Sequence, residues 1–289
     1  MSLNSVNTNM GAMIALQSLN RTNADLATAE KRVSTGFRVA DSTDDGAAFA
    51  IAQGVRSTVG ALTSANQQLG NVQGLLSTTQ SSLTDVSNTM ASMRTVLVKL
   101  ADASVTGSDR TNYISQYQSL LANVKSDIQD AGYNGKTLIG DITPHSGSYA
   151  KMSVVRNESG ASYTIAAFSG SALYASINYG SAAGGTLTDA LKVASLIGCT
   201  SKANNFDNMF NKVGGELNTI GAAVNYVSNQ IKYNNNKVDA LNAGLGALVD
   251  ADLAKESAQL QALQIRQQLG TQALSLANQA PQTLLSLFK

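Results

Sequence analysis

The sequence is poor in the residue types from which most enzyme active sites are built. Its single cysteine, Cys199, excludes a disulfide or a thiolate metal cage within one chain. Its single histidine, His145, leaves almost no material for a histidine metal cluster or a Ser-His-Asp relay. Tryptophan is absent, and the two prolines are Pro144 and Pro281. This composition predicts a protein that is not an enzyme and that needs no metal or other cofactor.

The charge content is equally low. Charged residues account for 13% of the 289 residues, about half the share usual in soluble domains, and the formal net charge is +1. A surface of this kind does not attract nucleic acid or an anionic membrane, so neither is an expected partner. About a third of the chain is instead Ser, Thr, Asn or Gln. The pattern fits an ordinary protein of low charge, or a surface suited to close packing against identical subunits.

No segment has the features of a cleavable secretion signal or of a membrane-spanning helix. The first seven residues lack a basic start and an apolar stretch, and no run of about 18 apolar residues occurs. We therefore expect the protein to stay in the cytosol, or to leave the cell by a route that does not read such a signal.

The tight acidic clusters are Asp44 with Asp45 and Asp250 with Asp252. Acid–base catalysis needs two carboxylates that face one pocket, and a cation site needs several oxygen ligands. The neighbouring sequence completes neither set, so these residues are interpreted as helix starts or hinge positions. His145 is expected to lie exposed in a loop, and Cys199 to be a small buried or half-buried residue.

Apolar residues at alternating spacings of three and four predict long helices packed along one another over residues 1–131 and 206–289. In the first zone the pattern breaks at 107–109 and then resumes. Asn234 falls on this seam, where it either fixes the register or marks a wetter stretch. The seam positions are Leu76, Thr79, Leu83, Val86, Met90, Met93, Leu97, Leu100, Tyr117, Leu121, Val124, Ile128 and Ala131, followed by Phe210, Val213, Leu217, Ile220, Val224, Val227, Ile231, Asn234, Val238, Leu241, Leu245 and Leu248.

The two chain ends are expected to pair with each other. An apolar stripe ends at Gly36, and a matching one starts at Leu253, after a break in register at 249–252 that predicts a hinge or a helix restart. Helical periodicity then continues as far as Pro281. Such helices bury too little to be stable in isolation, so they need neighbours.

Between the helical zones, residues 132–205 are rich in glycine and in aromatic and β-branched residues. Asn134-Gly135 predicts a tight turn. Alternating patterns predict two or three hairpin strands, at 152–155, 162–165 and 173–179. Thr188 is a candidate N-cap for a short helix that ends at Ile197.

Four segments carry a resemblance to a known family. Residues 33–51 closely resemble the flagellin signature of the type LSTGLRI-x-SA-x-DDAAG-x-AI, with Asn20-Arg21 placed upstream as in flagellins. Residues 250–256 resemble the family's D-A-D-x-A-x-E, and residues 279–289 its ending Q-x-PQ-x-(V/L)LSLL(R/K). Residues 133–135 occupy the place of its FNG turn.

The resemblance covers about residues 1–140 and 205–289, and it implies the bacterial flagellar filament subunit, a secreted helical polymer for swimming. The implied fold is mainly α: long antiparallel helices in a coiled-coil-like rod with a small β-hairpin region. The resemblance implies that residues 1–42 and 253–289 form a terminal domain that lines the inner tube. It also implies that residues 43–140 and 205–252 form the rod domain, which carries a small β-hairpin and short-helix region at 141–204 and lacks large outer domains.

Family membership further implies flagellar type III export and several partners. These are identical or sister subunits, an export chaperone at the C-terminal helix, a filament cap and the hook–filament junction proteins. The assembly interface is predicted on the terminal helices and the first signature. Its residues are Leu3, Val6, Met10, Leu16, Leu19, Arg21, Leu26, Val33, Gly36, Arg38, Asp44, Asp45, Leu253, Leu260, Leu263, Leu274, Leu284, Leu285 and Leu287.

The sequence departs from many flagellins in the stretch that vertebrate innate receptors read, of the type LQRIRELAVQ. The aligned segment is 90–99, which starts at Met90 and keeps Arg94 but has Ser92 and Thr95 at two motif positions. The resemblance therefore implies weak receptor activation. Two alternatives to a filament subunit remain: a hook–filament junction protein, and a surface adhesin that uses the middle hairpins.

Overall fold

The structure, a computed structural model, describes residues 8–140, 142, 148–179, 186–198 and 205–287, and for residues 148–149 and 280–287 it describes the backbone alone. These residues form seven α-helices, a short 3₁₀ helix and five short strands, which confirms the mainly α fold. The helices are α1 (Met10–Thr35), α2 (Gly46–Leu100), α3 (Gly107–Gln129), α4 (Gly170–Ile177), α5 (Ala190–Gly198), α6 (Phe206–Val249) and α7 (Leu253–Leu287). The strands are β1 (Gly132–Tyr133), β2 (Lys136–Thr137), β3 (Ser148–Tyr149), β4 (Met152–Val155) and β5 (Ser162–Ile165).

The chain divides into two compact units. The terminal unit consists of Met1–Val59 and Asp239–Lys289, and the central unit of Gly60–Val238. Helices α2 and α6 each contribute residues to both units.

The core of the central unit follows the predicted seam. Positions of α2 such as Leu83, Val86 and Met93 are completely buried against α3 and α6 residues that include Tyr117 and Val213. Two contacts show that helices α2 and α6 run antiparallel. Asn66 pairs with Asn235 near one end of the seam, and Arg94 pairs with Asp207 near the other.

Asn234 lies on this seam and is completely buried. Its Nδ2 donates to Asn66 Oδ1 at 2.8 Å and to the Arg156 carbonyl at 3.0 Å, while its Oδ1 accepts from Gln230 Nε2 at 3.0 Å. This arrangement favours register fixing over a wet stretch, since sliding α6 along its neighbours would break the bonds of Asn234 to Asn66 and to the Arg156 carbonyl.

The middle of the chain folds onto this core. Asn134 (φ 49°) and Gly135 (φ 71°) form the predicted tight turn between the antiparallel strands β1 and β2. Strands β4 and β5 form the second predicted hairpin, on which Tyr163 stacks against Tyr226 of α6 with ring centroids 4.1 Å apart. Strand β3 adds to β2 in parallel.

Three local predictions for the central unit were wrong. Residues 173–179 were expected to be a strand, but α4 occupies most of them, because Ser169 caps the Ala172 amide and Leu173 and Ile177 share one buried helical face. Thr188 belongs to the 3₁₀ helix; Asp189 starts α5 by accepting from the Leu191 amide. The break after α2 lies at residues 101–106, so residues 107–109 begin α3 rather than interrupt a helix.

Within the terminal unit, α1 and α7 pair in opposite directions, as predicted. Near one end Asn9 contacts Ala277, in the middle Asn23 pairs with Gln267, and near the other end Arg32 pairs with Glu256. Helix α1 ends as predicted, with Gly36 in the left-handed region at φ 74°. Helix α6 ends at Val249 and α7 begins at Leu253, so the break at 249–252 is a helix restart.

Candidate assembly interface

The seam between α1 and α7 is narrow. Its positions recur every three or four residues on both helices, but many side chains are small or polar, so the backbones can approach closely. Gly270 shows this directly, since a β-carbon there would lie 3.2 Å from Leu19 Cδ1. Among the seam residues Ala29 and Leu263 are nearly fully buried. The seam consists of Ala12, Ala15, Leu19, Thr22, Leu26, Ala29 and Val33 on α1 and Glu256, Leu260, Leu263, Gln267, Gly270, Leu274 and Ala277 on α7.

Much of the apolar surface of the same two helices is left uncovered. Ile14 is 63% exposed, Leu269 58% and Leu276 71%. We call this set the outer apolar face; its residues are Met10, Met13, Ile14, Leu16, Ile265, Leu269 and Leu276. The three α7 members lie on one stripe together with the exposed Ala258, Ala262 and Ala273, at the same spacing of three and four as the seam but on a different side of the helix.

Asn9 joins the outer ends of α1 and α7. Its Oδ1 caps α1 by accepting from the Ala12 amide at 3.1 Å, and its Nδ2 donates to the Ala277 carbonyl at 2.7 Å. That carbonyl has no helical partner four residues on, because residue 281 is proline and lacks an N–H. Helix α7 therefore continues through Pro281 to Leu287, beyond the predicted end at Pro281.

The segment that connects α1 to α2 is held against the restart between α6 and α7. Phe37 and Asp250 form an isolated β-bridge. The Val249 carbonyl accepts from the Arg38 amide at 2.7 Å, and the Arg38 guanidinium donates to the Leu248 carbonyl at 2.5 Å. Val39, Ala48, Ala52 and Val249 form a small apolar cluster beneath these bonds.

Lys31 and two carboxylates fix the shape of this connecting segment. Lys31 Nζ lies 2.7 Å from Asp41 Oδ2 and 2.9 Å from Asp44 Oδ2, and the Asp44 carboxylate also accepts from the Ala40 and Asp41 amides. The hydrogen bond from Lys31 lowers the pKa of both carboxyls, and the two carboxylates raise the pKa of Lys31. All three groups are therefore charged across the neutral pH range.

Asp45 and Asp252 start helices, which is one of the two roles predicted for the acidic clusters. Asp45 Oδ1 accepts from the Ala47 and Ala48 amides at the start of α2. Asp252 Oδ1 accepts from the Ala254 and Lys255 amides at the start of α7. Both are N-caps, which satisfy backbone donors that a helix leaves free in its first turn.

Arg32 and Glu256 form the ion pair at the inner end of the seam. Arg32 Nη1 lies 3.2 Å from Glu256 Oε1, and the Glu256 side chain is only 10% exposed. Arg32 Nε and Glu256 Oε2 are buried and have no hydrogen-bond partner among the described residues. The pair is thus joined by one contact although both groups could form two.

Comparison with known proteins identifies the family. The bacterial flagellin N-terminal helical region matches residues 6–143, and the bacterial flagellin C-terminal helical region matches residues 203–288. The chain belongs to the bacterial flagellin family. As a flagellin, it is a structural subunit of the flagellar filament, the extracellular propeller for motility, as the resemblance implied.

Flagellins from Caulobacter vibrioides are among its relatives. The chain is 32% identical to flagellin FljM and 32% identical to flagellin FljK, in each case over the whole of both chains. Among solved structures, a flagellar hook-associated protein from Vibrio parahaemolyticus has the same fold, with a TM-score of 0.55, 17% identity, and coverage of 72% of this chain and all of that one.

The predicted interface residues of this flagellin occupy several environments. Met10, Leu16, Arg21, Arg38, Asp44, Asp45 and Leu253 are exposed; Leu19, Leu26, Val33, Gly36, Leu260 and Leu274 are half-buried; Leu263 is buried. Leu3 and Val6 lie outside the described residues, as do the side chains of Leu284, Leu285 and Leu287, and His145 and Cys199. The predicted interface residues did not include Met13, Ile14, Ile265, Leu269 and Leu276, although a second stripe at helical spacing on α7 was a signal that could have found the last three.

The receptor-motif segment lies on α2 in the central unit. Met90 is completely buried, whereas Ser92 and Thr95 are exposed. Arg94 pairs with Asp207, with Nε and Oδ1 2.9 Å apart. The described residues contain no group of three or more His, Cys, Asp or Glu side chains that could hold a metal. No described helix is long and apolar enough to cross a membrane.

Proposed function

We propose that subunits of this flagellin bind one another through the outer apolar face of α1 and α7. The support is the concentration of uncovered apolar side chains on two helices whose mutual seam is narrow and partly polar. Monomeric proteins rarely leave such surface open, and burial against identical copies removes it from water. The low net charge of +1 lets copies approach without strong repulsion.

The predicted domains have corresponding roles in this proposal. Residues 1–42 and 253–289 line the inner tube of the filament, and residues 43–140 and 205–252 form the rod domain around it. The region 141–204 sits on the rod domain. The polar bonds of Lys31 and Arg38 support this arrangement, since they fix the direction in which the chain leaves the terminal helices.

The partners follow from the same surface. An uncovered apolar face has to be shielded before export, so we assign a chaperone to the C-terminal helix α7 and type III export to the subunit. The filament cap and the hook–filament junction proteins are the further partners at the ends of the polymer. Sister flagellins can share the filament, as several flagellins of Caulobacter vibrioides are related to this chain along its length. The subunit has no catalytic role.

Point substitutions in the outer apolar face test the interface. Ile265→Asn combined with Leu269→Asn introduces two polar groups that an interface cannot bury without partners, so the critical concentration for polymerisation should rise by roughly tenfold or more. Leu191→Asn is the matched control, because Leu191 is 83% exposed but lies in the central unit. Sedimentation of filaments measures the critical concentration of both variants. Unchanged polymerisation of the double variant, or an equal loss in the control, refutes the assignment.

We also propose that this flagellin activates vertebrate innate receptors weakly. The exposed positions of the motif segment carry Ser92 and Thr95, and Arg94 is engaged by Asp207. Substituting Ser92→Arg together with Thr95→Glu should raise the signal. A reporter-cell assay on monomer measures it, and strong signalling by the unchanged protein contradicts the proposal.

A further inference from the structure

Among the residues that the structure describes, which do not include Met1, the methionines of the two units differ in exposure. In the terminal unit, Met10 is 46% exposed and Met13 is 59% exposed, both in the first turn or two of α1. In the central unit, Met90 and Met93 are completely buried and Met209 is 7% exposed. Met152 is half-buried. Of the six methionines that the structure describes, the two exposed ones therefore both belong to the outer apolar face.

Exposure decides which of these sulfurs a hydroperoxide can reach. The sulfur attacks the terminal peroxide oxygen, and an S–O bond forms as the O–O bond breaks. The proton of the attacked oxygen moves to the other oxygen, which leaves as an alcohol, or as water when the reagent is hydrogen peroxide. The thioether is oxidised by two electrons to a sulfoxide and the peroxide is reduced by two. The product is polar and branched at sulfur, whereas the parent side chain is flexible and apolar.

We propose that Met10 and Met13 form an oxidation site at which hydroperoxides block assembly of the free subunit. The inference rests on the proposed function, since it requires the outer apolar face to be buried between subunits. A sulfoxide on this face must either keep its water or be buried without a partner, and both oppose association. The buried sulfurs of the central unit are spared, so the fold survives the modification.

The neighbouring contacts agree with an effect on assembly rather than on folding. The side chains of Ala12 and Ala15 face α7, and Asn9 makes the bonds that fix the start of α1. Met10 and Met13 lie between these seam positions on the opposite side, where they contribute little to the pairing of α1 with α7. Oxidation there leaves the seam and its hydrogen bonds intact.

The experiment compares monomer and filament treated briefly with hydrogen peroxide. Peptide mass spectrometry on the monomer should find sulfoxide at Met10 and Met13 roughly tenfold faster than at Met90, Met93 and Met209. Treated monomer should then lose polymerisation, with a critical concentration roughly tenfold higher. Preformed filaments should show slower oxidation at the same two residues. Equal rates at all methionines, or normal polymerisation of fully oxidised monomer, overturn the proposal.

A variant without the two methionines, and enzymatic reduction of the sulfoxides, test whether oxidation at Met10 and Met13 causes the loss of polymerisation. The double variant Met10→Leu, Met13→Leu keeps apolar side chains of similar size, and it is compared only with itself: whatever its critical concentration before peroxide treatment, the value should be the same after it. If it loses polymerisation on treatment, the damage lies elsewhere and the proposal is wrong. Reduction of the treated wild-type monomer with methionine sulfoxide reductases should restore polymerisation, a readout that does not depend on the variant. If the Ile265→Asn, Leu269→Asn variant polymerises normally, the proposed function fails. If that variant loses polymerisation but the oxidised wild-type monomer polymerises normally, the inference alone fails.

Discussion

The central unit and the terminal unit are both built from long helices, but they bury apolar side chains to very different extents. Among the described residues, the central unit holds thirty-three of the thirty-nine buried hydrophobic residues, and the terminal unit holds ten of the fourteen large hydrophobic residues that are exposed. The central unit has a core of its own, in which Leu97 and Tyr117 are completely buried. The terminal unit is held by a narrow seam and by hydrogen bonds such as those of Asn9 and Arg38. A subunit can thus be stable in one region while it keeps apolar surface for its neighbours in the other.

Removing residues 253–289 should give the largest effect. The truncated protein loses α7 and with it three of the seven residues of the outer apolar face, so filament formation should be abolished. The central unit keeps every residue of its core, so its thermal transition should move by only about 4 °C or less. Circular dichroism and sedimentation measure the two properties. Filaments from the truncated protein, or loss of the thermal transition, would remove the distinction between the units.

Two alanine substitutions should separate stability from assembly. Leu97→Ala opens a cavity in the core of the central unit and should cost about 2–5 kcal/mol in the free energy of unfolding. Leu269→Ala removes an exposed side chain and should change that free energy by about 0.5 kcal/mol or less. The critical concentration should respond in the opposite way, rising for Leu269→Ala and staying unchanged for Leu97→Ala below its melting temperature. Similar behaviour of the two variants in either assay would contradict the comparison.

The contact of Asn9 with α7 should be worth about 1 kcal/mol, and only because residue 281 is proline. Asn9→Ala leaves the Ala277 carbonyl without its donor and also removes the cap of α1. In a Pro281→Ala background the helix supplies its own N–H to that carbonyl, so the same substitution should cost less. A double-mutant cycle on thermal unfolding of the terminal unit measures the coupling. Asn9→Asp is the control, because aspartate can still cap α1 but cannot donate to the Ala277 carbonyl. If the effects of Asn9→Ala and Pro281→Ala on stability are additive, the contact of Asn9 does not depend on Pro281.

Acid should loosen the connecting segment of the terminal unit before it affects the core of the central unit. The carboxyls of Asp41 and Asp44 have lowered pKa values, so their contribution is present above about pH 4, their ordinary range, and is lost as the pH falls through the lowered values. Lys31 has a raised pKa, so its contribution is present below its ordinary value and is lost only as the pH rises through the raised one. Hydrogen exchange at the Ala40 and Asp41 amides should show less protection both at the acidic end, where the carboxylates are protonated, and at the alkaline end, where Lys31 loses its proton. Asp44→Asn should reduce protection already at neutral pH, whereas Asp25→Asn on α1 should not; equal protection in all three proteins would exclude this role.

The sequence predicted those features that local patterns determine. The seam of α2 was predicted because it repeats every three or four residues over many turns, and Gly36 and Asn134-Gly135 were predicted because their backbone conformations favour these residues. The strand predicted at residues 173–179 was wrong because Leu173 and Ile177 fit both an alternating and a helical pattern. The N-cap at Ser169 favours the helix. The parallel addition of β3 to β2 was not predicted, since it joins segments that no local pattern relates.

In the interface, the prediction covered the stripe on α7 that contains Leu260 and Leu263 and missed the stripe that contains Ile265 and Leu269. Both stripes have helical spacing, and periodicity alone does not say which one the partner helix α1 covers. The contact between Asn9 and the Ala277 carbonyl, which Pro281 leaves free, joins positions 268 residues apart in the chain. It depends on the register of the two helices, which neither helix determines by its own sequence.

The opposed register of α1 and α7 limits how the length of this chain can change. Contacts at Asn9, Asn23 and Arg32 are matched to Ala277, Gln267 and Glu256, so a single residue inserted into one helix rotates everything beyond it by about 100° and brings the wrong side chains together. An insertion between residues 141 and 204 leaves every one of these matches untouched. The length of the middle segment is therefore independent of the pairing of the two ends, and it is limited instead by the side chains that this segment buries in the central core, such as Leu173 and Ile177.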